Sequence, residues 1–282
     1  MKIMSEYKEL SCLAYDLRKK VVEMVVSGKG GHIGGDMSVI DVLVALYFKE
    51  MNISPKNMDD PDRDRFVMSK GHSVEAYYAV LAAKGFFPME EVIEKFSKFG
   101  SPYIGHPNNK LPGIEMNSGS LGHGLSLAVG FALAGRVKGL DYMNYVLTGD
   151  GELNEGSNWE AAMAAAQFKL SNVVVLADNN KCMIDGRVDD EMKVEPLDKK
   201  FEAFNFHVIN IDGNDFDQIR AAFKEARETK GMPTAIIAKT VKGKGVSFME
   251  NAAGWHGKAP NDEEYEIAMA DLEKAGEALC QK

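Results

Sequence analysis

Five short segments rich in β-branched and aromatic residues alternate with longer helical stretches. They are residues 65–68, 144–148, 172–177, 207–211 and 234–238. Such alternation is typical of βαβ units, in which helices cover both faces of a parallel sheet. We therefore predict an α/β fold with a doubly wound, mainly parallel sheet, and we expect ligands to bind at the carboxyl ends of its strands. No repeat or linker divides the chain, so we expect a single domain over residues 1–282.

Two helices are predicted before the first strand. Apolar residues at three- and four-residue spacing indicate an amphipathic helix over residues 10–25 that ends near Gly28. Residues 39–48 are apolar on almost every side, which predicts a buried helix. Asp36 or Ser38 is placed to cap this second helix.

The charge balance and the cysteine pattern exclude several classes of protein. Lys and Arg number 33 against 42 Asp and Glu, a net charge of −9, which disfavours nucleic acid or an anionic membrane as the main partner. Cys12, Cys182 and Cys280 are widely spaced and odd in number, so we expect neither a disulfide framework nor a zinc knuckle. Glu6 and Glu9 disfavour a secretory signal, and no apolar run reaches the ~18 residues of a membrane span. We expect a cytoplasmic protein.

Two polar turns follow neighbouring predicted strands, at 149–151 (Gly-Asp-Gly) and 178–180 (Asp-Asn-Asn). Mg²⁺ prefers oxygen ligands that it shares with substrate phosphates, and Asp150, Asn180 and the carbonyl of Cys182 could supply them. The glycines let backbone N–H groups approach phosphate oxygens, and a helix beginning near Glu155 would point its positive end at the same anion. Ordinary turns also favour Gly, Asp and Asn. The order strand, turn, helix, strand, turn favours a diphosphate site.

Five of the six histidines lie in glycine-rich loops. They are His32, His72, His106, His123 and His256, whereas His207 lies in a predicted strand and is interpreted as an ordinary structural residue. Imidazole titrates near neutrality, so a loop histidine can accept a hydroxyl proton and return it. We therefore expect a histidine-rich active site, with the role of His123 left open.

Taken in order, these motifs resemble the thiamine-diphosphate-binding domain of transketolases, in the form in which the enzyme is split into two chains. The matching segments are 30–35, 64–72, 105–107, 119–124, 149–180, 184–186 and 254–257. The resemblance implies thiamine diphosphate and Mg²⁺ as cofactors. It also implies transfer of a two-carbon ketol unit from a ketose phosphate to an aldose phosphate.

The resemblance assigns roles to individual residues. It implies that Asp150 and Asn180 bind Mg²⁺ through their side chains and Cys182 through its carbonyl. The implied cofactor contacts are His72, Gly119, Leu121, Gly151, Asn180 and His256. The implied catalytic residues are His32, His72, His106, His256 and Glu155. Glu155 would lie at a subunit interface, near a carboxylate of another domain that activates the aminopyrimidine.

Lys181 departs from the family pattern, because a glycine is usual at this position. Lys181 either tightens the loop or adds a cation near the diphosphate. Residues 239–245 lack the Gly-Lys-Ser/Thr spacing of a phosphate-binding loop, and we interpret them as an active-site loop near His256.

The sequence contains no second α/β domain after a polar helix predicted over residues 263–279. The resemblance therefore implies a partner chain that carries the C-terminal, aminopyrimidine-binding half of a transketolase, in a two-plus-two assembly. Two alternatives stay open at this point. The chain could be a subunit of another split thiamine-diphosphate enzyme, such as a decarboxylase, or a non-catalytic cofactor-binding subunit.

Overall fold

The computed structural model describes residues 2–280, with side chains from Tyr7 onwards, so the side chain of Glu6 lies outside the described residues. The helices are α1 Lys2–Gly28, α2 Ile33–Ala45, α3 Val74–Ala83, α4 Met89–Lys95, α5 Gly124–Lys138, α6 Gly156–Gln167, α7 Val188–Glu191, α8 Leu197–Ala203, α9 Phe216–Glu228 and α10 Asp262–Cys280. The strands are β1 Arg65–Met68, β2 Asn144–Gly149, β3 Val173–Asn179, β4 His207–Asp212 and β5 Thr234–Lys239. Within the described part of the chain, every helix is too short or too polar to cross a membrane.

The five strands form one parallel sheet in the order β1-β2-β3-β5-β4. The predicted strands are confirmed, and each lies within two residues of its observed bounds. Gly149 pairs with Asp178 and Asn179 pairs with Lys239, so β2, β3 and β5 end side by side. This register brings the two polar turns predicted from the sequence to the same edge of the sheet.

Alternation along the strands divides the apolar side chains between two cores, because successive residues point to opposite faces. Phe66, Tyr145 and Leu176 join the core built with α1, α2, α3 and α9. Val146 and Val175 join the core built with α5, α6 and α8. Helices therefore cover both faces of the sheet, as predicted.

The second helix begins earlier than the sequence predicted. α1 ends at Gly28 as expected, but α2 begins at Ile33, so Asp36 and Ser38 lie inside the helix and the prediction that either caps it is wrong. A Cβ atom at Gly34 would lie 2.7 Å from the carbonyl oxygen of Trp255. The glycines at this point permit close packing and do not delay the helix. α2 continues into a π-helical turn, Leu46–Glu50.

The two terminal helices are linked by a disulfide that the sequence analysis did not expect. Cys12 of α1 is bonded to Cys280 of α10, and Cys182 is a buried free thiol. An odd number of distant cysteines gave no sign of pairing, because the pair forms only when α10 packs along α1. Lys19 and Glu273 also join these two helices through an ion pair.

A buried ion pair joins α1 to α2. The guanidinium of Arg18, which is fully buried, donates to both carboxylate oxygens of Asp41 at 3.0 and 2.7 Å and to the carbonyl of Met37 at 3.0 Å. The amide of Asn214 donates to the same carboxylate at 2.7 Å. Removing one partner of a buried pair leaves the other charged and unpaired.

We expect Arg18→Met to lower the free energy of unfolding by about 3–5 kcal/mol, because Asp41 keeps its charge without its main partner. Urea denaturation of the purified chain measures the loss. Lys199→Met is the control, since the Lys199–Glu202 pair is exposed and its loss should leave the midpoint close to that of the wild type. Equal midpoints for the two variants would contradict the prediction.

Candidate functional site

A cavity of about 250 Å³ opens at the edge of the sheet where β2 and β3 end. Its lining combines cationic, imidazole and oxygen-bearing groups that come from distant parts of the chain. The lining residues that the sequence analysis named are His72, Leu121, Asp150, Gly151, Glu155, Asn180, Cys182 and His256. The structure therefore brings together the residues proposed for metal, diphosphate and proton chemistry.

Asp150 is held in place by backbone donors. Its carboxylate is 1 % exposed and accepts the N–H of Gly151 at 2.8 Å and the N–H of Lys181 at 2.6 Å. Burial, and then the nearby carboxylate of Asp178, raise the pKa of Asp150 to about 7 despite these two hydrogen bonds. A cation bound at this carboxylate would compensate the negative charge that burial disfavours.

Asn180 lies beside Asp150 on the next strand end. Its Nδ2 donates to Asp178 at 2.8 Å, which directs Oδ1 away from that carboxylate. Oδ1 accepts the N–H of Cys182 at 3.0 Å and keeps a second lone pair. Asp150, Asn180 and the backbone at Cys182 thus form a set of hard oxygen donors on two adjacent turns, which suits a cation such as Mg²⁺.

Lys181 tightens the turn and does not add a charge to the cavity. Its φ of 64° lies in the left-handed region, which explains why a glycine suits this position. Its backbone N–H binds Asp150, while its ammonium group forms an ion pair with Glu195. Glu195 also accepts from the side chain of Asn179 at 3.0 Å. Of the two roles that the sequence left open, the structure shows the first.

Four imidazole rings gather on one side of the cavity. His32 lies between the other three, with ring centroids 5.0 Å from His72, 5.6 Å from His106 and 5.0 Å from His256. His72 and His106 are 4.8 Å apart. The fifth loop histidine, His123, is exposed at the start of α5 and lies outside these ring contacts.

Three of the four clustered rings, His72, His106 and His256, are held in the neutral form at neutral pH. Burial first, and then the neighbouring His32, lower the pKa of His72 to about 4 and that of His256 to about 3. The pKa of His106 is lowered for the same two reasons. A neutral imidazole has one N–H donor and one lone pair, so each ring can donate one hydrogen bond and accept another. By contrast, His207 lies at the surface and bonds Glu225 at 2.7 Å, as its structural interpretation expected.

Two lysines and one glutamate shape the cavity without having been assigned from the sequence. Lys70 contacts Asp178 and donates to the carbonyl of Gly35 at 3.2 Å, while Lys242 donates to the carbonyl of Met183 at 3.1 Å. Burial lowers the pKa of Lys242. Lys70 lies in segment 64–72 and Lys242 in segment 239–245, both of which the sequence indicates as parts of the site. Membership of these segments is the only sequence feature that points to the two lysines.

Glu152 organises the glycine loop on the opposite wall. Its buried carboxylate accepts from the hydroxyl of Ser69, from the N–H of Gly122 at 2.9 Å and from the N–H of Gly149 at 3.0 Å. Burial raises the pKa of Glu152 against the effect of these bonds. In the same loop Gly119 has φ +126°, and a Cβ there would lie 2.2 Å from the ring of His106. No spacing in the sequence pointed to Glu152.

Glu155 lies at the N-terminus of α6 and has an exposed side chain on the cavity wall. Gly119 and His106 do not line the cavity themselves but meet at its border through their close contact. The structure therefore places every sequence-predicted site residue in or beside one cavity.

Residues 11–273 match the family model described as the transketolase, thiamine diphosphate binding domain. This chain belongs to the transketolase family. It is 46% identical over 262 residues to an apulose-4-phosphate transketolase subunit of Phocaeicola vulgatus, covering 93% of each chain. It is 42% identical over 275 residues to the 6-deoxy-6-sulfo-D-fructose transketolase subunit SqwG of a Clostridium species, covering 97% of this chain and all of the other.

Solved transketolases share the fold. The transketolase of Campylobacter jejuni superposes with a TM-score of 0.87 at 30% identity, over 96% of this chain and 46% of the other. The chain thus spans about half the length of the solved transketolases but nearly the full length of the two subunits. It corresponds to the N-terminal, thiamine-diphosphate-binding subunit of a two-chain transketolase. These names favour ketol transfer over the decarboxylase alternative.

We expect acid to destabilise the isolated chain through His72 and His256. Their pKa values, about 4 and about 3 in the folded state, lie below the ordinary 6.5, so the unfolded state binds more protons between these limits. The contribution of these two histidines to the free energy of unfolding therefore falls as the pH falls below about 6.5, whereas the raised pKa of Asp150 acts in the opposite direction. Melting temperatures at about pH 7.5 and pH 5 measure this loss.

The matched variants separate these histidines from general acid effects. The double variant His72→Asn, His256→Asn should lose less stability on acidification than the wild type, because asparagine does not titrate. His207→Asn, at a partly exposed histidine outside the cluster, should keep most of the wild-type loss. An equal loss in the double variant and the wild type would refute the assignment.

Proposed function

We propose that this chain, together with a partner chain, transfers a two-carbon ketol unit from a ketose phosphate to an aldose phosphate. The observation that carries the proposal is a cavity in which His72 and His256, part of a cluster of four imidazole rings, lie with the oxygen donors of Asp150 and Asn180. When bound, thiamine diphosphate supplies the carbanion chemistry that breaks and re-forms the carbon–carbon bond. The protein has to anchor the cofactor, orient the sugars, exclude water and move protons.

Two groups of residues would anchor the cofactor, one that binds the metal ion and one that binds the diphosphate. We propose that Asp150 and Asn180 hold Mg²⁺ through their side chains and Cys182 through its carbonyl. The diphosphate would lie against Gly151, with further contacts from the backbone at Gly119 and Leu121. The buried, readily protonated carboxyl of Asp150 supports this fit, because a divalent cation would compensate the charge that burial disfavours.

Positively charged side chains and imidazoles on the cavity wall would also bind the diphosphate. Lys70 and Lys242 are buried and face the same space as His72 and His256. Lys70 pairs with Asp178, whereas the ammonium group of Lys242 donates to the carbonyl of Met183. Both positive charges beside the cavity favour a strongly anionic ligand such as a diphosphate. His72 and His256 would donate N–H bonds to it without adding positive charge, since both are neutral.

Proton transfer is proposed for the ring cluster around His32. A ketol transfer removes a proton from a substrate hydroxyl as the carbon–carbon bond breaks and returns it when the new bond forms. A neutral imidazole can accept that proton at its free nitrogen and give it back. His32 and His106 extend the cluster beyond the residues that line the cavity. The sugar hydroxyls would lie beside these two rings.

The partner chain would supply the other half of the active site. The chain spans 46% of the Campylobacter transketolase, and the relatives of full matching length are named as subunits. Ile184 on the cavity wall and Ile104 near His106 are exposed apolar side chains, and Glu155 on the cavity wall is also exposed. We propose that a C-terminal transketolase subunit covers this face and brings the carboxylate that activates the aminopyrimidine.

A two-plus-two assembly and a cytoplasmic location are further parts of this proposal. In the cytoplasm we expect Cys12 and Cys280 to be reduced. The ion pair between Lys19 and Glu273 would then still link α1 to α10.

Loss of a proposed metal ligand should weaken the Mg²⁺-dependent binding of thiamine diphosphate. We expect Asp150→Ala to weaken binding of thiamine diphosphate in the presence of Mg²⁺ by at least about tenfold, or about 1.4 kcal/mol. Calorimetric titration with and without Mg²⁺ measures the difference. Asp217→Ala, on the exposed face of α9, is the control. Equal Mg²⁺ dependence in both variants would rule out the proposed metal ligands.

Ketol transfer should require both chains. We expect the complex purified from the native host to transfer ketol units and the lone chain to be inactive, assayed with xylulose 5-phosphate and ribose 5-phosphate and with the ketoses named for the two subunit relatives. Ile104→Glu should weaken association with the partner by tenfold or more, about 1.4 kcal/mol, by placing a charge in an apolar contact. Val137→Glu, at the far end of α5, is the control.

Two outcomes would count against this proposal. Full activity of the lone chain would remove the need for a partner chain. A complex that binds cofactor but transfers no ketol unit from any of these sugars would favour the non-catalytic alternative.

A further inference from the structure

Two carboxyl groups that the proposed function does not use are buried together behind His32. Asp36 lies in the first turn of α2 and Glu75 in the first turn of α3, and both are 0% exposed. Oδ1 of Asp36 accepts the backbone N–H of Ala76 at 2.9 Å. Oε1 of Glu75 accepts the backbone N–H of His32 at 2.9 Å.

Each carboxyl group has a second oxygen without a donor. Oδ2 of Asp36 and Oε2 of Glu75 are both buried and unpartnered among the described residues. Two neighbouring buried carboxylates cannot both hold a charge at low cost. A single shared proton turns the two acceptors into one O–H···O hydrogen bond and satisfies both.

The surroundings decide which carboxyl group carries the proton. Burial, and then the charge of Glu75, raise the pKa of Asp36 well above its usual range. The N–H of Ala76 and the ammonium of Lys70 oppose this shift without cancelling it. Glu75 instead accepts the backbone N–H of His32 and lies beside the ring of that residue.

The charge on Glu75 is directed at one edge of the His32 ring. Oε1 lies 3.6 Å from Nδ1 of His32, and Nδ1 is buried with no hydrogen-bond partner in the part of the chain that the structure describes. A Cβ at Gly31 would lie 2.3 Å from the same Oε1, so the carboxylate reaches this position only because residue 31 is glycine. With Nδ1 buried, the Nε2 edge of the ring is left for the cavity side.

We propose that Asp36 and Glu75 are positioning residues that together hold one proton and one negative charge, and that this charge keeps the proton of His32 on Nδ1 and leaves Nε2 free to accept a proton from the substrate. In the proton transfer, the substrate O–H bond breaks, an N–H bond forms at Nε2, and the resulting imidazolium lies beside the Glu75 carboxylate. The Asp36–Glu75 pair keeps its own proton throughout. The catalytic part of this inference rests on the proposed function.

The first test needs no turnover. The tautomer of His32 can be read from the ¹⁵N chemical shifts of the ring nitrogens in the full chain labelled at histidine, with His32→Gln to assign the signal among six histidines. We expect the proton on Nδ1 in the wild type and a mixture of tautomers in Glu75→Leu, which removes the carboxyl group beside Nδ1. A wild-type ring protonated on Nε2 would overturn the proposal, even if Glu75→Leu fails to fold.

The second test compares two isosteric neutralisations in the complete two-chain enzyme. Glu75→Gln removes the charge beside His32, whereas Asp36→Asn keeps an N–H donor where the proposal places a proton. We expect kcat to fall roughly tenfold or more further in Glu75→Gln than in Asp36→Asn, with little change in KM for the ketose. Glu90→Gln, at an exposed position of α4, controls for the substitution itself.

The outcomes distinguish this inference from the proposed function. Equal losses in the two variants, or a larger loss in Asp36→Asn, would overturn the assignment of proton and charge. If the wild-type complex has no ketol-transfer activity, the proposed function fails, and the ¹⁵N measurement still decides the arrangement of Asp36, Glu75 and His32.

Discussion

The buried carboxylate of Asp178 joins the segments on which the site depends. It is 2% exposed and accepts hydrogen bonds from Ser38 of α2 at 2.8 Å, from Asn180 at 2.8 Å, from Lys70 after β1 and from Thr240 after β5. Because each donor comes from a different part of the chain, one side chain sets the relative positions of the turn at 178–180, the start of α2, the loop after β1 and the loop after β5. A buried carboxylate is stable in such a place only when it is fully hydrogen-bonded.

The buried polar groups of the site lower the stability of the chain when no ligand is bound. Asp150 and Glu152 have raised pKa values and Lys242, His72 and His256 have lowered ones, and burial is the first cause in each case. Each shift means that burial penalises the charged form. A ligand that binds only the folded state offsets such a penalty by mass action. The two apolar cores and the Arg18–Asp41 pair stabilise the frame that carries this site.

Much of the site could be predicted because its residues follow strands. β-branched segments predicted all five strands, and in a parallel sheet the residues after neighbouring strands must meet at one edge. Asp150 and Asn180 were therefore expected near each other before their contacts were known. The start of α2 was not predictable, because a pair of glycines normally ends a helix and here permits contact with Trp255. The single domain over residues 1–282 stays a prediction.

The sequence by itself determined the five strands, the two polar turns that follow β2 and β3, and the set of loop histidines, since these depend on local composition and on a topology with few alternatives. Only the tertiary structure decided which groups are buried together. Glu152, Asp178, Asp36 and Glu75 each have at least one hydrogen-bond partner more than 30 residues away in the chain, and Cys12 and Cys280 are likewise distant. Their protonation and hydrogen bonding follow from desolvation and from neighbouring charges, which a linear pattern of residues does not contain.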